Sequence, residues 1–599
     1  MCGFAGELRF DGRPVDVAAV TRMSERIAAR GPDSHGLYQR GHVALAHRRL
    51  TIIDLSAAGE QPMVDSQLGL ALVFNGCIYN YKILREELRG LGYTFFSDSD
   101  SEVLLKAYHR WGPECVQRFH GMFAFAVAER DSGRVVLARD RLGIKPLYYA
   151  QTPGCLRFAS TLPALVAAGD VDTSIDREAL HHYMTFHSVV PAPNTILNGV
   201  KKLPAGSVRV IERNGHESES SYWRPQFTRP AQNMKPLEWQ NALLTRLRAA
   251  VEKRMVADVP IGVLLSGGLD SSLIVALLAE SGQRDLTTFS IGFEAGGGES
   301  GDEFHYSDIV AQHFNTRHHK ICIPNERLLP GVDEAIWHMS EPMISHDAVA
   351  FYLLSEEVSK HVKVVQSGQG ADEVFAGYDW YPPLADVPRS SALAAYSAAF
   401  FDRPRSLLEE IVARDYLVDR DVSMEFVRQH FAQPGAASAL DAALRIDSTV
   451  MLVDDPVKRV DNMTMAWGLE ARVPFLDHEL VELAAMCPPE LKLAQGGKGV
   501  LKEAARGLLP AEVIDRPKGY FPVPGIRYLT GPMFDIVHSA LTSRTAKERG
   551  LFKDSYIQKL LAAPNEIRSN LGSNVLWQVA LIELWLQKHG DGHGGTPAP

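Results

Sequence analysis

The sequence predicts two domains, an α+β domain of layered β-sheets followed by an α/β domain built on a parallel sheet. In residues 1–224, short runs of β-branched and aromatic residues alternate with Gly, Asp and Pro, a pattern typical of a β-rich domain. Further on, the apolar run 259–265 is followed by a glycine turn and by apolar residues at helical spacing over 272–279. A strand, a glycine turn and a helix in this order begin a parallel α/β sheet.

The other elements follow from the same patterns. Apolar residues recur at helical spacing between Leu243 and Val251, and the run 362–365 predicts a further strand. Beyond Leu384 the patterns are mostly helical. Three runs in the first part are expected to be strands: 69–74, 122–128 and 134–138.

A polar segment punctuated by three prolines separates the two parts, between residues 225 and 236. It has no hydrophobic period and is typical of a surface linker. We therefore predict a first domain over 1–224, a linker over 225–236 and a second domain over 237–588. Residues 589–599 are rich in Gly, His and Pro and are expected to be disordered.

The composition is that of an ordinary globular protein. The 599 residues include 62 basic and 72 acidic side chains, a net charge of −10, and 46% are apolar. Neither this balance nor any basic cluster indicates binding to nucleic acid or to a membrane. Six cysteines are scattered without C-x-x-C spacing, and no signal-like start or run of about 18 apolar residues precedes the first domain. We therefore expect a cytoplasmic protein.

Cys2 directly follows the initiator methionine, so removal of Met1 would place a thiol and a free α-amino group on one residue. A model α-amine titrates near ~8, well below lysine, and a fraction of it is neutral at pH 7. Such an amine can take the thiol proton directly or through one water, which makes Cys2 a self-contained nucleophile. An accidental early cysteine is the alternative that its position alone leaves open.

A second candidate site is the glycine turn between the predicted strand at 259–265 and the helix that follows it. Backbone N–H groups of such a turn and of the helix N-terminus point at one place, so we interpret it as a phosphate-binding loop. It lacks the Gly-Lys-Ser/Thr of a Walker A loop, and a tight turn whose glycines only supply positive φ is the alternative. The turn reads Ser266-Gly267-Gly268-Leu269-Asp270-Ser271-Ser272.

Two acidic residues, Asp270 and Asp372, follow predicted strands of this second domain. A carboxylate beside a phosphate is repelled unless a divalent cation lies between them, and Mg²⁺ prefers carboxylates together with phosphate oxygens. Because the carboxyl ends of parallel strands meet at one edge of a sheet, the two residues suggest a shared metal-pyrophosphate site.

These features and several further strings resemble the glutamine-dependent asparagine synthetase family over nearly the whole chain. The resemblance implies an N-terminal-nucleophile (Ntn) glutaminase sandwich followed by an ATP-pyrophosphatase-type synthetase domain. The implied activity is that of a glutamine-hydrolysing, ATP-dependent amide ligase. The strings are Met1-Cys2-Gly3, Arg30-Gly31-Pro32-Asp33, His47-Arg48-Arg49-Leu50, Asn75-Gly76, Ser99-Asp100, Gly121-Met122-Phe123-Ala124, the turn at Ser266, and Glu470-Ala471-Arg472-Val473-Pro474-Phe475-Leu476-Asp477.

In the first domain, the resemblance implies that Cys2 attacks the side-chain amide of glutamine and forms a thioester. Asn75 and Gly76 would form the oxyanion hole, and Asn75 would also contact glutamine. Arg49 would bind the α-carboxylate of glutamine, and Asp100 would bind its α-ammonium group.

One residue of the first domain departs from the family pattern. Family members usually read Asn-Gly-Glu-Ile-Tyr-Asn, whereas Cys77 stands here in place of the glutamate. One contact to glutamine is therefore missing or replaced. We interpret Cys77 as a small buried residue rather than a second nucleophile.

In the second domain, the resemblance implies ATP and Mg²⁺, with Asp270 and Asp372 on the metal ion. Lys498 and Lys518 occupy the positions of family lysines that steady the phosphate charge, although solvated surface lysines are the alternative. The acceptor carboxylate would attack the α-phosphorus, giving an acyl-adenylate and pyrophosphate, and ammonia passing internally from Cys2 would capture the acyl group. Contacts to ATP are implied for Leu265, Ser266, Gly267, Gly268, Asp270, Ser271, Ser272, Ile291, Ser367 and Gly368.

The acceptor is less directly indicated. Asparagine synthetases commonly carry glutamate at the position of Gln369, where it takes a proton from the attacking ammonia, and a glutamine cannot act as that base. With the string 341–352 and the unusual segment 296–303, the chain resembles the N-acetylglutaminylglutamine amidotransferase branch. That branch amidates the C-terminal carboxylate of a small blocked dipeptide used as an osmoprotectant. We therefore prefer this dipeptide to aspartate.

His346 and Glu373 are the candidates for the missing base, and the alternative for His346 is a core histidine whose hydrogen bonds are satisfied.

Two other classes of protein stay open. A stand-alone glutaminase would need no ATP, against which the intact turn at Ser266 argues. A non-catalytic scaffold is disfavoured by the retained Cys2, Arg49 and Asp100. The implied partners are small molecules, namely glutamine, ATP and the acceptor carboxylate, and the family resemblance also suggests a homodimer.

Overall fold

The computed structural model describes residues 2–230, 234–294, 301–302, 304–517, 519 and 528–590. Some of the sequence predictions concern residues outside this set: Lys518, the segment 296–303 apart from residues 301 and 302, and the tail from 591 onwards. His589, which was predicted to begin the tail, instead ends the helix Val575–His589. Its buried ring packs against Trp337 and Trp585, which explains why the helix continues to this residue.

The first domain is a sandwich of two sheets, each with six strands within the described residues. Its strands are β1 Cys2–Arg9, β2 Ser34–Arg40, β3 Val43–Arg49, β4 Met63–Asp65, β5 Leu70–Ile78, β6 Gly121–Glu129, β7 Val135–Arg139, β8 Tyr148–Thr152, β9 Cys155–Ala159, β10 Lys201–Lys202, β11 Ser207–Ile211 and β12 Glu217–Ser221. The strand orders are β10-β8-β9-β1-β3-β2 and β12-β11-β7-β6-β5-β4, with antiparallel neighbours.

The inner faces of the two sheets share one apolar layer. Phe4 and Leu45 come from one sheet, and Val73 and Leu137 come from the other. Helices cover the outer faces, so that the domain has α, β, β and α layers. The helices of this domain are Val17–Arg26, Tyr81–Gly90, Asp100–Trp111, Leu162–Ala167 and Arg177–Thr185.

The second domain has a parallel sheet, which among the described residues contains β13 Ile261–Leu264, β14 Thr287–Phe293, β15 Arg317–Ile323, β16 Val364–Gln366 and β17 Glu470–Arg472. The strand order is β15-β14-β13-β16-β17, and every neighbouring pair is parallel. The chain runs from β13 outward to β15 and then returns to the other side of β13. This places a topological switch point between β13 and β16, where open α/β sheets bind their ligands.

Helices surround this sheet and form most of the remaining chain. They are Pro236–Lys253, Leu269–Glu280, Phe304–His313, Asn325–His338, Asp347–Ser359, Ala371–Phe375, Ala392–Phe400, Arg405–Ile411, Val422–Ala432, Ala439–Ile446, Lys458–Met465, His478–Met486, Pro489–Leu493, Gly499–Ala505, Ala511–Ile514, Gly531–Thr542, Arg544–Arg549, Asp554–Ala562 and Val575–His589. Two π-helical turns, Asp447–Met451 and Val453–Val457, precede the helix Lys458–Met465. No described helix is long and apolar enough to cross a membrane.

The sandwich and the parallel sheet confirm the predicted fold class, but the element bounds differ in places. Strand β13 begins at Ile261 rather than 259 because Pro260 has no N–H to donate to a ladder. Strand β5 extends to Ile78, which pairs with Gly121 of β6. The helix Pro236–Lys253 takes in the last residue of the predicted linker, since proline is well suited to a first helical position.

Buried ion pairs join the two domains. Arg30 and Lys145 of the first domain lie 2.8 and 3.1 Å from the carboxylate of Asp461. Lys202 lies 2.9 Å from Glu341 of the second domain. Buried charges are tolerated only when they are closely paired, so these contacts restrict how the two domains can pack.

Candidate active site

The first candidate site surrounds Cys2, the first described residue of β1. Antiparallel pairing places Cys2 opposite Arg49 of β3. The Cys2 main-chain nitrogen, which becomes the α-amino group when Met1 is removed, donates a hydrogen bond to Asn75 Oδ1 over 3.1 Å. Burial raises the pKa of the Cys2 thiol. A thiolate therefore forms here only with help from a nearby base, and the adjacent amine is suited to that task.

Asn75 and Gly76 on β5 offer hydrogen-bond donors next to Cys2. Asn75 is fully buried, and its Nδ2 has no hydrogen-bond partner among the described residues. A buried donor without an acceptor costs free energy, so this amide is suited to a ligand oxygen. A Cβ at Gly76 would lie 2.1 Å from the carbonyl oxygen of Met122, so only glycine lets β5 pack against β6 here.

Arg49 and Asp100 place opposite charges on the cavity beside Cys2. Arg49 is held by hydrogen bonds to the carbonyl oxygens of Ser56, at 2.9 Å, and Asp54, at 2.5 Å. Asp100 begins the helix Asp100–Trp111 and accepts a hydrogen bond from Ile78 N over 3.0 Å. Burial raises the pKa of Asp100 to about 6. A buried cation and a buried anion on one cavity complement a zwitterionic amino acid.

Two residues of β17 enter the same cavity from the second domain, and no function was predicted for either. Glu470 and Arg472 line it together with Cys77. Arg472 Nε lies 2.5 Å from Glu470 Oε1, and Arg472 Nη2 lies 3.8 Å from Cys77 Sγ. Although burial alone would raise it, the Arg472 guanidinium lowers the pKa of Glu470 to about 2. Cys77 is fully buried, and burial raises the pKa of its thiol, as expected for a packed rather than a reactive cysteine.

The second candidate site is a cavity of about 350 Å³ at the switch point between β13 and β16. The glycine turn lies between β13 and the helix Leu269–Glu280. Gly267 has a φ of +72°, and a Cβ there would lie 2.5 Å from Ser307 N. The tight turn therefore needs a glycine at this position. Gly268 has a φ of −79° and precedes the helix as its N-cap. Most of the residues expected to contact ATP line this cavity: Leu265, Ser266, Gly268, Asp270, Ser271, Ile291, Ser367 and Gly368.

Two residues of that set do not line the cavity. Gly267 packs against the helix Phe304–His313, and Ser272 is fully buried within its own helix. The expected contact of these two residues with ATP stays a prediction. Sequence alone could not separate them, because all residues of a short turn look equally available when its orientation is unknown.

Lys498 bridges the two predicted metal ligands. Its Nζ lies 2.6 Å from Asp270 Oδ2 and 2.9 Å from Asp372 Oδ1, and these carboxylates hold the lysine pKa above its usual value despite burial. Lys498 has a φ of +56° and is the N-cap of the helix Gly499–Ala505. A Cβ at Gly377 would lie 2.3 Å from Lys498 Cε, so glycine at 377 makes room for the lysine.

The donor set fits Mg²⁺ in the presence of a phosphate. The carboxylates of Asp270 and Asp372 both contact the ammonium group of Lys498, so they lie close together. Carboxylates together with phosphate oxygens are the ligands that Mg²⁺ prefers. Among the described residues, no group of three or more His, Cys, Asp or Glu side chains is arranged to hold a metal ion.

A buried carboxylate, that of Glu373, is linked to the second cavity through the hydroxyl group of Tyr378. Gln369 and Tyr378 line the cavity, and Tyr378 donates a hydrogen bond to Glu373 Oε1 over 2.7 Å. Burial, aided by the charge of Asp372, raises the pKa of Glu373 to about 7. Neither Glu373 nor the other predicted base, His346, lines the cavity itself, and the His346 ring lies 6.3 Å from that of Trp577. Glu373 is hydrogen-bonded to a side chain that lines the cavity, which favours it over His346.

Asp347 and Arg459, neither of which was predicted, also line the second cavity and lie 3.8 Å apart.

The two cavities approach each other at neighbouring strands. Ser367, which follows β16 and lines the second cavity, donates its backbone N–H to the carbonyl oxygen of Arg472 over 2.8 Å. Because the Arg472 side chain lines the first cavity, this hydrogen bond connects a residue that lines one cavity with a residue that lines the other.

Comparison with known sequences gives consistent matches. The asparagine synthase family pattern matches residues 242–587, and the glutamine amidotransferase domain pattern matches residues 1–223. The glutamine-hydrolysing asparagine synthetase 1 of Bacillus subtilis is 33% identical, covering 98% of this chain and 96% of its own. Asparagine synthetase 3 of the same organism is 30% identical over 87% of each chain. Asparagine synthetase B of Escherichia coli is 30% identical, covering 83% of this chain and 78% of its own.

Proposed function

The chain belongs to the glutamine-hydrolysing asparagine synthetase family of ATP-dependent ligases, which form AMP and pyrophosphate. From this premise we propose that it amidates the carboxylate of a small blocked dipeptide, N-acetylglutaminylglutamine, with nitrogen taken from glutamine. The observation that carries the choice of acceptor is Gln369, which lines the second cavity where aspartate-specific relatives of this family commonly carry a glutamate base.

In the proposed first half-reaction, the amine of Cys2 takes the thiol proton and the sulfur attacks the side-chain amide of glutamine. Asn75 Nδ2 and the N–H of Gly76 stabilise the oxyanion, and the unpartnered, buried state of Asn75 Nδ2 supports this assignment. Arg49 and Asp100 orient the α-carboxylate and the α-ammonium group. Ammonia leaves, and water then hydrolyses the thioester to glutamate.

In the proposed second half-reaction, the acceptor carboxylate attacks the α-phosphorus of ATP and pyrophosphate leaves. The turn at Ser266 holds phosphate oxygens, and Lys498 balances their charge between Asp270 and Asp372. When bound, Mg²⁺ would supply a further positive charge at these two carboxylates. Ammonia then attacks the acyl carbon, and AMP leaves.

The ammonia must reach the second cavity uncharged, because ammonium has no lone pair with which to attack. We propose that it passes inside the protein, between β17, which lines the first cavity, and Ser367, which lines the second. The hydrogen bond from Ser367 N to Arg472 O supports this route, since it connects the two cavity walls directly.

Aspartate is the second candidate acceptor, and one observation favours it. Asp347 and Arg459 present opposite charges to the second cavity, as a free amino acid would require. A blocked dipeptide has no α-ammonium group, so it would need the positive charge of Arg459 but not the negative charge of Asp347. The curated relatives described above are also named as asparagine synthetases.

Purified enzyme given ATP, Mg²⁺ and glutamine, with aspartate and the acetylated dipeptide offered in parallel, separates the two acceptors. We expect the dipeptide amide, identified by mass spectrometry, and pyrophosphate release that depends on the dipeptide. Asparagine as the sole product would overturn the choice of acceptor and leave the amidotransferase assignment intact.

Glu373→Gln tests the proposed proton acceptor. Attack by ammonia releases a proton, and a carboxylate with a pKa of about 7, reached through Tyr378, is suited to take it. We expect amide formation to fall by roughly 10²–10⁴-fold. Pyrophosphate release and glutamine hydrolysis should persist, because the adenylate still forms and the Cys2 site is untouched.

The matched control for this experiment is Glu356→Gln, which removes a partly exposed carboxylate paired with Arg327. It should leave pyrophosphate release and amide formation unchanged. Equal losses of pyrophosphate release and amide formation in Glu373→Gln would contradict the assignment, because they would indicate a defect before ammonia attack.

A further inference from the structure

The glutamine cavity is closed on one side by the second domain. Its described lining comes from the first domain except for Glu470 and Arg472 of β17. Successive side chains of a strand point to opposite faces, so residues 470 and 472 share one face and Ala471 faces the other way. Ala471 indeed belongs to a buried apolar cluster, while Glu470 and Arg472 reach the cavity.

We propose that Glu470 is a glutamine-binding residue, which together with Asp100 accepts hydrogen bonds from the α-ammonium group. This rests on the proposed function, in which the cavity at Cys2 binds glutamine. An ammonium group has three donors, which one carboxylate does not satisfy alone. In this chain the family's glutamate is absent at position 77, so Glu470 supplies the second carboxylate from the other domain.

The charges of the cavity agree with this assignment. Arg49 and Arg472 contribute two cations, and Asp100 and Glu470 contribute two anions, so the cavity is balanced for a zwitterion. Burial raises the pKa of Asp100, and the negative charge of Glu470 raises it further. The two carboxylates therefore repel each other when the cavity is empty. A bound ammonium group between them relieves that repulsion.

The position of Glu470 is fixed by its neighbour rather than by a flexible loop. Arg472 Nη1 donates to the carbonyl oxygens of Arg254, at 2.7 Å, and Val256, at 2.8 Å, while its Nε holds Glu470. Arg472, Arg254 and Glu470 are buried, with Glu470 1% exposed, and Val256 is partly buried. A carboxylate held in this way is preorganised, so little entropy is lost when the ligand binds.

The test compares glutamine with glutaramate, which is glutamine without its α-ammonium group, as substrates for hydrolysis by the full-length enzyme. In Glu470→Gln, which keeps an oxygen for Arg472, we expect kcat/KM for glutamine to fall by roughly 10- to 100-fold, mostly through KM. The kcat/KM for glutaramate should stay within about twofold, because that substrate has no group for Glu470 to bind. Synthesis from ammonium salts should also be retained, which reports an intact fold.

The matched control is Glu583→Gln, since Glu583 is equally buried and ion-paired with Arg549 but does not line either cavity. It should leave both substrates unaffected. Equal losses with glutamine and glutaramate in Glu470→Gln, or no loss with either, would overturn the inference. Failure of the proposed function would look different, because the unsubstituted enzyme would then hydrolyse no glutamine or would hydrolyse it equally well without Cys2.

Discussion

Cys2→Ala should abolish amide synthesis from glutamine while leaving synthesis from ammonium salts intact. In the proposed mechanism the sulfur is the atom that bonds to the substrate, and an alanine at this position cannot form the thioester. We expect glutamine hydrolysis to fall on the order of 10⁶-fold, the scale seen when a hydrolase loses its nucleophile. ATP-dependent synthesis from ammonium should stay near its original rate, because the turn at Ser266 and Lys498 lie in the other domain. The measurements are glutamate release and product formation with each nitrogen source.

Two further cysteine variants make this result specific. Cys77→Ala removes the other thiol that lines the cavity, and we expect turnover to persist because Cys77 is packed against Arg472 rather than activated. Cys155→Ala removes a buried thiol of β9 away from the cavity and controls for packing effects. Full glutamine-driven activity in Cys2→Ala would show that the first domain uses a different nucleophile.

The fold class was predictable because its signals are local. Short β-branched runs bounded by turn residues predict the strands of the sandwich, and an apolar run before the turn at Ser266 predicts a parallel sheet with a ligand at its edge. Pro260 and Pro236 shift element ends by one or two residues, since proline affects hydrogen bonding at single positions that periodicity does not resolve.

The candidate site was predictable only where its residues belong to recognisable strings. Cys2, Arg49 and Asp100 were expected to act together, and the structure brings them to one cavity. Glu470 was noted only as part of a longer string. Its place in the same cavity as Asp100 depends on how β17 packs against the other domain, and no local pattern predicts such packing.

The same limit applies to the second cavity. Tyr378 and Arg459 face it from a loop and a helix that are distant in sequence, and neither stands in a pattern that predicts a ligand. Asp270 and Asp372 were expected to share a metal ion. Sequence could not foresee that Lys498 would lie between them, because Lys498 follows Asp372 by more than a hundred residues.

Asp270→Asn should remove pyrophosphate release while leaving glutamine hydrolysis in place. Asp270 accepts a hydrogen bond from Lys498 over 2.6 Å beside the turn at Ser266, where we propose that phosphate binds. The amide would therefore bind both the lysine and a phosphate-bound cation more weakly. We expect ATP-dependent pyrophosphate release to fall by on the order of 10²–10³-fold, as when one charge-stabilising group is removed from an active site. Glutamate release should be retained because Cys2, Arg49 and Asp100 are unchanged.

The control is Asp333→Asn, which removes an exposed carboxylate paired with Lys588 at 2.7 Å and should change neither activity. Together with Cys2→Ala, this result assigns each half-reaction to one domain. A stand-alone glutaminase predicts instead that the unsubstituted enzyme releases no pyrophosphate, so that Asp270→Asn has nothing to remove. Parallel loss of both activities in Asp270→Asn would argue against separable sites, since Asp270 does not line the cavity at Cys2.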